Sequence, residues 1–216
     1  MSQWIDITVP VRNGMVHWPG DPAYHIRKVM DQRNGDLCTV SHIEMSVHTG
    51  THMDAPLHFL QGGATMEQMP IDATVGPARV ILIEDPVAIR REELQRHNLQ
   101  PGERVLFKTV NSAKSWNTDH FDEDYVFIAA DAAAWMATCG IRTVGVDYLS
   151  VGGFRQDMLE THQTLLRADI WVIEGLNLSD VEPGAYDLVC LPLKLVGSDG
   201  SPARAVIRKS TAGHSQ

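Results

Sequence analysis

The run His48-Thr-Gly-Thr-His52-Met-Asp54-Ala-Pro-Leu-His58-Phe59 places three imidazoles and one carboxylate within eleven residues. Groups of this kind are costly to crowd together unless they are paired or hold a cation, so the fold must be one that gathers them for a purpose. Imidazole nitrogen and carboxylate oxygen are both ligands of zinc and manganese, and His48, His52 and Asp54 form a first shell with positions to spare for water and substrate. These three differ by even numbers, so an extended chain directs them to one side, and Gly50 lets the backbone bend around an ion. Small neighbours at Thr49, Gly50, Thr51 and Ala55 suit a tight wrap, and Pro56 stiffens the exit. The alternative, solvated polar residues on a sheet edge, accounts less well for the density and the ligand types. His58 stands apart as a group that titrates near neutrality and can move protons. A fourth ligand, or a ring packed beside Phe59, is the other reading of it.

Strand patterns surround this cluster. Residues 40–48 alternate cleanly, with Ile43, Met45 and Val47 on one face and His42, Glu44, Ser46 and His48 on the other. Further strands are expected at 4–11, 78–83, 104–109, 125–129, 142–147, 170–174, 186–192 and 203–208, each bounded by Gly, Pro or Asp. Helices are expected at 86–96, at 131–138 with Asp131 as N-cap and Gly140 as stop, and at 159–168. The pattern is a mixed α/β one, a compact β-rich core with flanking helices. No repeat or linker-like run interrupts it, and residues 1–216 are expected to form one domain.

A formal charge of −9 with no Lys/Arg cluster argues against nucleic acid and membrane surfaces as partners. The amino terminus lacks the pattern of a secretion signal, and no stretch approaches the ~20 apolar residues of a membrane span. Cys38, Cys139 and Cys190 are far apart and odd in number, which fits a reducing compartment and small core or surface roles. The cytoplasm is the expected location.

Two downstream residues join the candidates. Glu174 closes the apolar run Ile170-Trp-Val-Ile, and His162 opens Thr161-His162-Gln-Thr-Leu-Leu. A carboxylate at the end of a buried strand points to a site, because buried charges are paired or bind metal. Spacing alone does not decide between that and a residue at the rim.

The run His48 to Phe59, read as H-T-G-T-H-x-D-x-P-x-H-F, resembles the signature of the cyclase family of metal-dependent hydrolases, which includes bacterial kynurenine formamidases and isatin hydrolase. The likeness extends to Trp18-Pro-Gly-Asp21, Gly145-Val-Asp147, the regions of His162 and Glu174, Leu191-Pro-Leu-Lys194 and Ser201-Pro-Ala-Arg204. It implies a swivelling β/β/α architecture. It also implies two ions, Zn²⁺ or Mn²⁺, on residues matching His48, His52, Asp54, His162 and Glu174, with the two carboxylates shared between them. By the same resemblance His58 donates and accepts protons, Trp18 borders a small-molecule substrate, and the protein is a homodimer or homotetramer.

The resemblance makes the expected activity hydrolysis of a small amide, foremost an N-formyl aryl amine such as N-formylkynurenine. A cyclic amide, imide or lactone is the second expectation, and a non-catalytic metal-binding protein the third. Where formamidases tend to have Asp-Thr-Pro-Ser, this chain has Asp147-Tyr148-Leu149-Ser150, which leaves the substrate open while the metal chemistry is unaffected.

Overall fold

Short strands and short helices alternate along residues 3–210, the part of the chain that the computed structural model describes. In order they are β1 (Ile5–Asp6), β2 (His25–Met30), β3 (Val40–Glu44), β4 (His52–Asp54), α1 (Ile71–Thr74), β5 (Val75–Leu82), β6 (Ala88–Ile89), α2 (Arg91–Leu94), β7 (Arg104–Lys108), α3 (Val110–Lys114), β8 (Phe127–Ile128), α4 (Ala130–Cys139), β9 (Thr143–Val146), α5 (Met158–Arg167), β10 (Trp171–Glu174), β11 (Gly184–Pro192) and β12 (Gly200–Lys209). The main sheet runs β1-β12-β11-β5-β7-β9-β10-β4, and β4 pairs again with β12, so that seven strands close on themselves and β1 lies outside. Strands β5, β7, β9 and β10 are parallel, and the remaining pairs are antiparallel. The expected mixed α/β fold with a sheet-dominated core is the one observed.

Alternation along the strands divides the apolar side chains between two cores. Met53, Val80, Leu106, Ile173, Leu188 and Cys190 fill the interior of the closed sheet. Their neighbours Ile81, Phe107, Val144 and Val172 pack on the other side against Met136 of α4 and Leu165 and Leu166 of α5. Each such side chain, fully removed from water, contributes roughly 1.5–3 kcal/mol. A third, aromatic group around Tyr125, Phe127 and Tyr148 lies beside the candidate site. No helix among the described residues is long and apolar enough to cross a membrane.

Several expected elements are shorter or displaced, each for a local reason. The alternating run 40–48 is a strand only to Glu44, so the expected two-faced pleat does not reach His48. Ile43 is 52% exposed, and the strand pairs solely with β2 in a separate two-stranded sheet. The Ser46 hydroxyl accepts from the backbone N of His48 at 3.2 Å, a side-chain turn that replaces the pleat. His48 therefore sits in a turn, and the even-spacing argument holds only for His52 and Asp54, both in β4. The expected helix 86–96 is reduced to α2. Asp85 Oδ1 accepts from the amides of Val87 and Ala88 at 2.8 and 3.2 Å, holding a turn, and buried Ala88 and Ile89 pair with β8 instead. The expected strand 4–11 survives as β1 and an isolated bridge at Thr8.

The helix expected at 131–138 forms as α4, but Asp131 is not its cap. Asp157, distant in sequence, accepts from the Ala130 amide at 3.1 Å, and Gly140 ends the helix with φ 68° as expected.

Candidate metal centre

Register does much of the assembly. In the antiparallel pair β4/β10, His52 lies opposite Glu174 and Asp54 opposite Val172, which sets the two carboxylates and one imidazole beside the same strand pair. The preceding turn is anchored from both sides. Thr51 Oγ1 donates to Gly175 O at 2.6 Å and accepts from Val9 N at 2.9 Å. Gly50 takes φ 66°, the left-handed conformation that glycine adopts freely. Helix α5 brings His162 from the other side, with Thr161 Oγ1 tied to Ile128 O at 2.8 Å.

The five expected ligands converge. Asp54 and Glu174 are 0% and 3% exposed, and each turns its two oxygens to different imidazoles. Oδ1 of Asp54 lies 2.9 Å from His48 Nδ1 and 3.6 Å from His52 Nε2, whereas Oδ2 lies 3.7 Å from His162 Nε2. Oε2 of Glu174 is 3.1 Å from His52 Nε2, and Oε1 is 3.3 Å from His162 Nε2. Each carboxylate therefore faces both His52 and His162.

Ring tautomers follow from the neighbours. His52 Nδ1–H donates to Gly50 O at 2.9 Å and His162 Nδ1–H donates to Met158 O at 2.7 Å, which leaves each Nε2 as a lone pair aimed at the carboxylates. Despite these short approaches, His52 Nε2 and Asp54 Oδ2 are buried without a well-formed hydrogen bond. Two orphaned buried ligand atoms, which ordinarily cost about 1–3 kcal/mol each, fit a site in which His52, Asp54 and Glu174 would hold a divalent cation. The donor set fits one.

The electrostatics of the cluster favour ionised carboxylates. Burial works against ionising Asp54, but the hydrogen bond and charge of His48 hold its carboxyl below the usual range. Burial and the Asp54 charge oppose ionisation of Glu174, and its close contacts with His162 and His52 outweigh them, so that its carboxyl is held below the usual range. Burial would lower His48, yet the hydrogen bond and charge of Asp54 raise it to about 10.

His58 lies over His48, ring centroids 3.9 Å apart and planes 27° from parallel, with Phe59 edge-on at 4.4 Å. By distance alone it is grouped with His48 and Asp54 as a possible ligand. Its side chain is nonetheless 29% exposed and opens on a cavity of about 490 Å³ walled by Trp18, Phe59, Leu149 and Met158. Trp18 meets Phe121 and Phe154 edge-on at 5.2 and 5.5 Å.

Two neighbours of the site, Ser150 and Leu149, lie in the segment that the sequence sets apart from the formamidases, and a third, Asp199, was not singled out. Ser150 Oγ lies 3.5 Å from His162 Nε2. Leu149 lines the cavity. Asp199 Oδ2 lies 2.9 Å from His48 Nε2 and 3.4 Å from His58 Nδ1. Asp147, part of the resemblance, is structural: it accepts from the amides of Thr109 and Ser112 at 2.7 and 3.1 Å and so fixes the start of α3.

Comparison with known proteins places the chain in a family. The Cyclase family model matches residues 5–152. The kynurenine formamidase of Bacillus mycoides (strain KBAB4) is 38% identical over 96% of this chain and 98% of its own length. That of Bacillus anthracis is 36% identical over the same shares. Among solved structures, a "predicted metal-dependent hydrolase" from Bacillus stearothermophilus superposes with a TM-score of 0.84 at 38% identity, over 97% of this chain and 100% of the other. Isatin hydrolase A from Ralstonia solanacearum, at 21% identity, shares the fold with a TM-score of 0.82 over 96% and 92% of the two chains. The chain belongs to the cyclase family.

Proposed function

We propose that this chain is a metal-dependent amidohydrolase, an arylformamidase acting on N-formyl aryl amines such as N-formylkynurenine. One observation carries the reading: Asp54 and Glu174 each direct one oxygen towards His52 and the other towards His162, a donor set built for two adjacent cations. The kynurenine formamidase relatives, similar over nearly the whole chain, support the choice of substrate. Two Zn²⁺ or Mn²⁺ ions held by His48, His52, Asp54, His162 and Glu174 would lower the pKa of water from 15.7 towards about 7 and polarise the carbonyl oxygen.

The chain's own residues do the rest. Trp18, Phe59, Leu149 and Met158 give the cavity an apolar wall suited to an aryl ring. Burial, assisted by the charge of His48 and opposed by Asp54, holds His58 below the ordinary histidine value, so that it is neutral at pH 7. It can then accept a proton as water adds to the carbonyl and deliver it to the nitrogen as the C–N bond breaks.

The reading includes self-association as a dimer or tetramer and a cytoplasmic location. In support, the β2/β3 hairpin leaves Ile26, Met30, Val40 and Ile43 exposed, and an isolated two-stranded hairpin is marginal in water. Arg27, Lys28 and Arg33 balance Asp31, Asp36 and Glu44 there, so the segment is near neutral in a chain of charge −9 and two copies meet little repulsion across it.

Elemental analysis of the purified protein, with hydrolysis of N-formylkynurenine before and after chelation, tests the proposal. About two ions per chain and turnover that disappears with chelator and returns with Zn²⁺ or Mn²⁺ are expected. A protein that binds no metal, or that turns over equally well after chelation, defeats it.

A further inference from the structure

Asp199 sits at the corner where the chain enters β12, beside the strand that carries Asp54. Its backbone O accepts from Ala55 N at 2.8 Å, and the following residue, Gly200, is in register with Asp54. The corner is shaped to the His48 ring: a Cβ on Gly200 would meet His48 Cε1 at 2.6 Å. The Asp199 side chain is 44% exposed, which is ordinary for a solvated loop acid, yet it directs Oδ2 at two imidazoles.

The other two ligand histidines provide the pattern. Each donates the N–H farther from the carboxylate pair to a fixed backbone carbonyl, Gly50 for His52 and Met158 for His162, and so presents its remaining nitrogen. His48 exchanges the two nitrogens. Nδ1 faces Asp54 at 2.9 Å, and Nε2 is met at 2.9 Å by Asp199. Metal-ligating histidines commonly donate their second N–H to a carboxylate or carbonyl, which fixes tautomer and ring angle.

We propose that Asp199 is a positioning residue of the metal centre: its Oδ2 accepts the Nε2–H of His48, which presents Nδ1 as the ligand atom, and faces Nδ1 of the stacked His58, holding that ring against the substrate cavity. The proposal rests on the metal-centre reading above and adds a carboxylate at the edge of the cavity that acts through His48 and His58.

Two measurements test it. Long-range ¹H–¹⁵N NMR of the zinc-loaded wild-type protein should find His48 protonated at Nε2 and metal-bound at Nδ1; the reverse assignment overturns the proposal without any variant having to fold. In chelator competition, Asp199→Ala should loosen zinc about 10–100-fold. With zinc saturating, it should lower kcat more than it changes KM, because the apolar wall of Trp18, Phe59, Leu149 and Met158 is intact. Asp199→Asn retains a side-chain oxygen that accepts from Nε2–H and should recover most of the zinc affinity. Zinc held as tightly by Asp199→Ala as by the wild type, or as weakly by Asp199→Asn as by Asp199→Ala, overturns the proposal while the metal-centre reading stands. Failure of the wild type to bind zinc or manganese defeats both.

Discussion

His48 lies between two carboxylates, Asp54 at Nδ1 and Asp199 at Nε2, both at 2.9 Å. In metal-free protein the favourable occupant of that gap is a proton, and the His48 pKa is raised to about 10. The folded value is above the ordinary ~6.5, so this proton's contribution to stability is fully present below pH ~6.5 and is lost as pH rises through about 10. A metal ion taking Nδ1 must expel it. Zinc affinity is therefore expected to climb with pH between 7 and 9, by about tenfold per unit for one proton released. Calorimetry in buffers of different ionisation enthalpy measures the protons directly, and His48→Gln should release about one fewer than the wild type. Equal release by both proteins would show that His48 is not the source. At this scale the sequence was partly legible. His48, His52 and Asp54 are conspicuous because they are neighbours in one short run, whereas Glu174 and His162 join them only through pairing and helix packing that spacing does not encode. Asp199, an acid in the turn Gly197-Ser-Asp-Gly200, carries no local mark of its role.

Strand β10 ends at Glu174 and passes at once into Gly175, which takes φ 72° and lies so close to the metal-binding turn that a Cβ would overlap the Gly50 carbonyl oxygen. The element and the turn are thus fitted backbone to backbone. Gly175→Ala should cost about 1–3 kcal/mol for the left-handed conformation alone, and more from the overlap, which also pushes the turn that carries His48 and leads into His52 of β4. Gly62→Ala is the control: φ is 74°, but nothing lies within 4 Å of its Cβ. Thermal melts and zinc retention should both fall in the first variant, and only a modest loss of melting temperature should appear in the second. Matching zinc retention in the two would mean that the close approach does not shape the site. Elements long enough to show a period, such as α4, α5, β7 and β11, were legible in sequence, with ends off by a residue or two. The failures lie where a side chain overrides the pattern: Asp85 turning the chain before α2, and Ser46 ending the pleat before His48.

Closure of the seven-stranded sheet depends on β12 pairing with both β11 and β4, contacts between segments far apart in the chain. No local periodicity reports it, which is why a β-rich core was readable and a barrel was not. Closure has a thermodynamic consequence, because a barrel with few free edges offers few routes for partial opening. Cys190 is a probe of this. It is fully buried inside the sheet on β11, and burial pushes its thiol pKa up to about 12. With Cys38→Ser and Cys139→Ser in the background, Cys190 at pH 8 should react with a thiol reagent only through molecules in which the barrel has opened. Its labelling rate should then rise with urea with the same slope that equilibrium unfolding gives by fluorescence. A labelling rate indifferent to urea would mean that β11 opens locally, and that the sheet holding Asp54 and Glu174 in register is not one cooperative unit. The metal centre makes the stakes specific: its ligands come from the turn after β3, from β4, from α5 and from β10, so only a sheet that opens as a whole keeps them assembled until it unfolds.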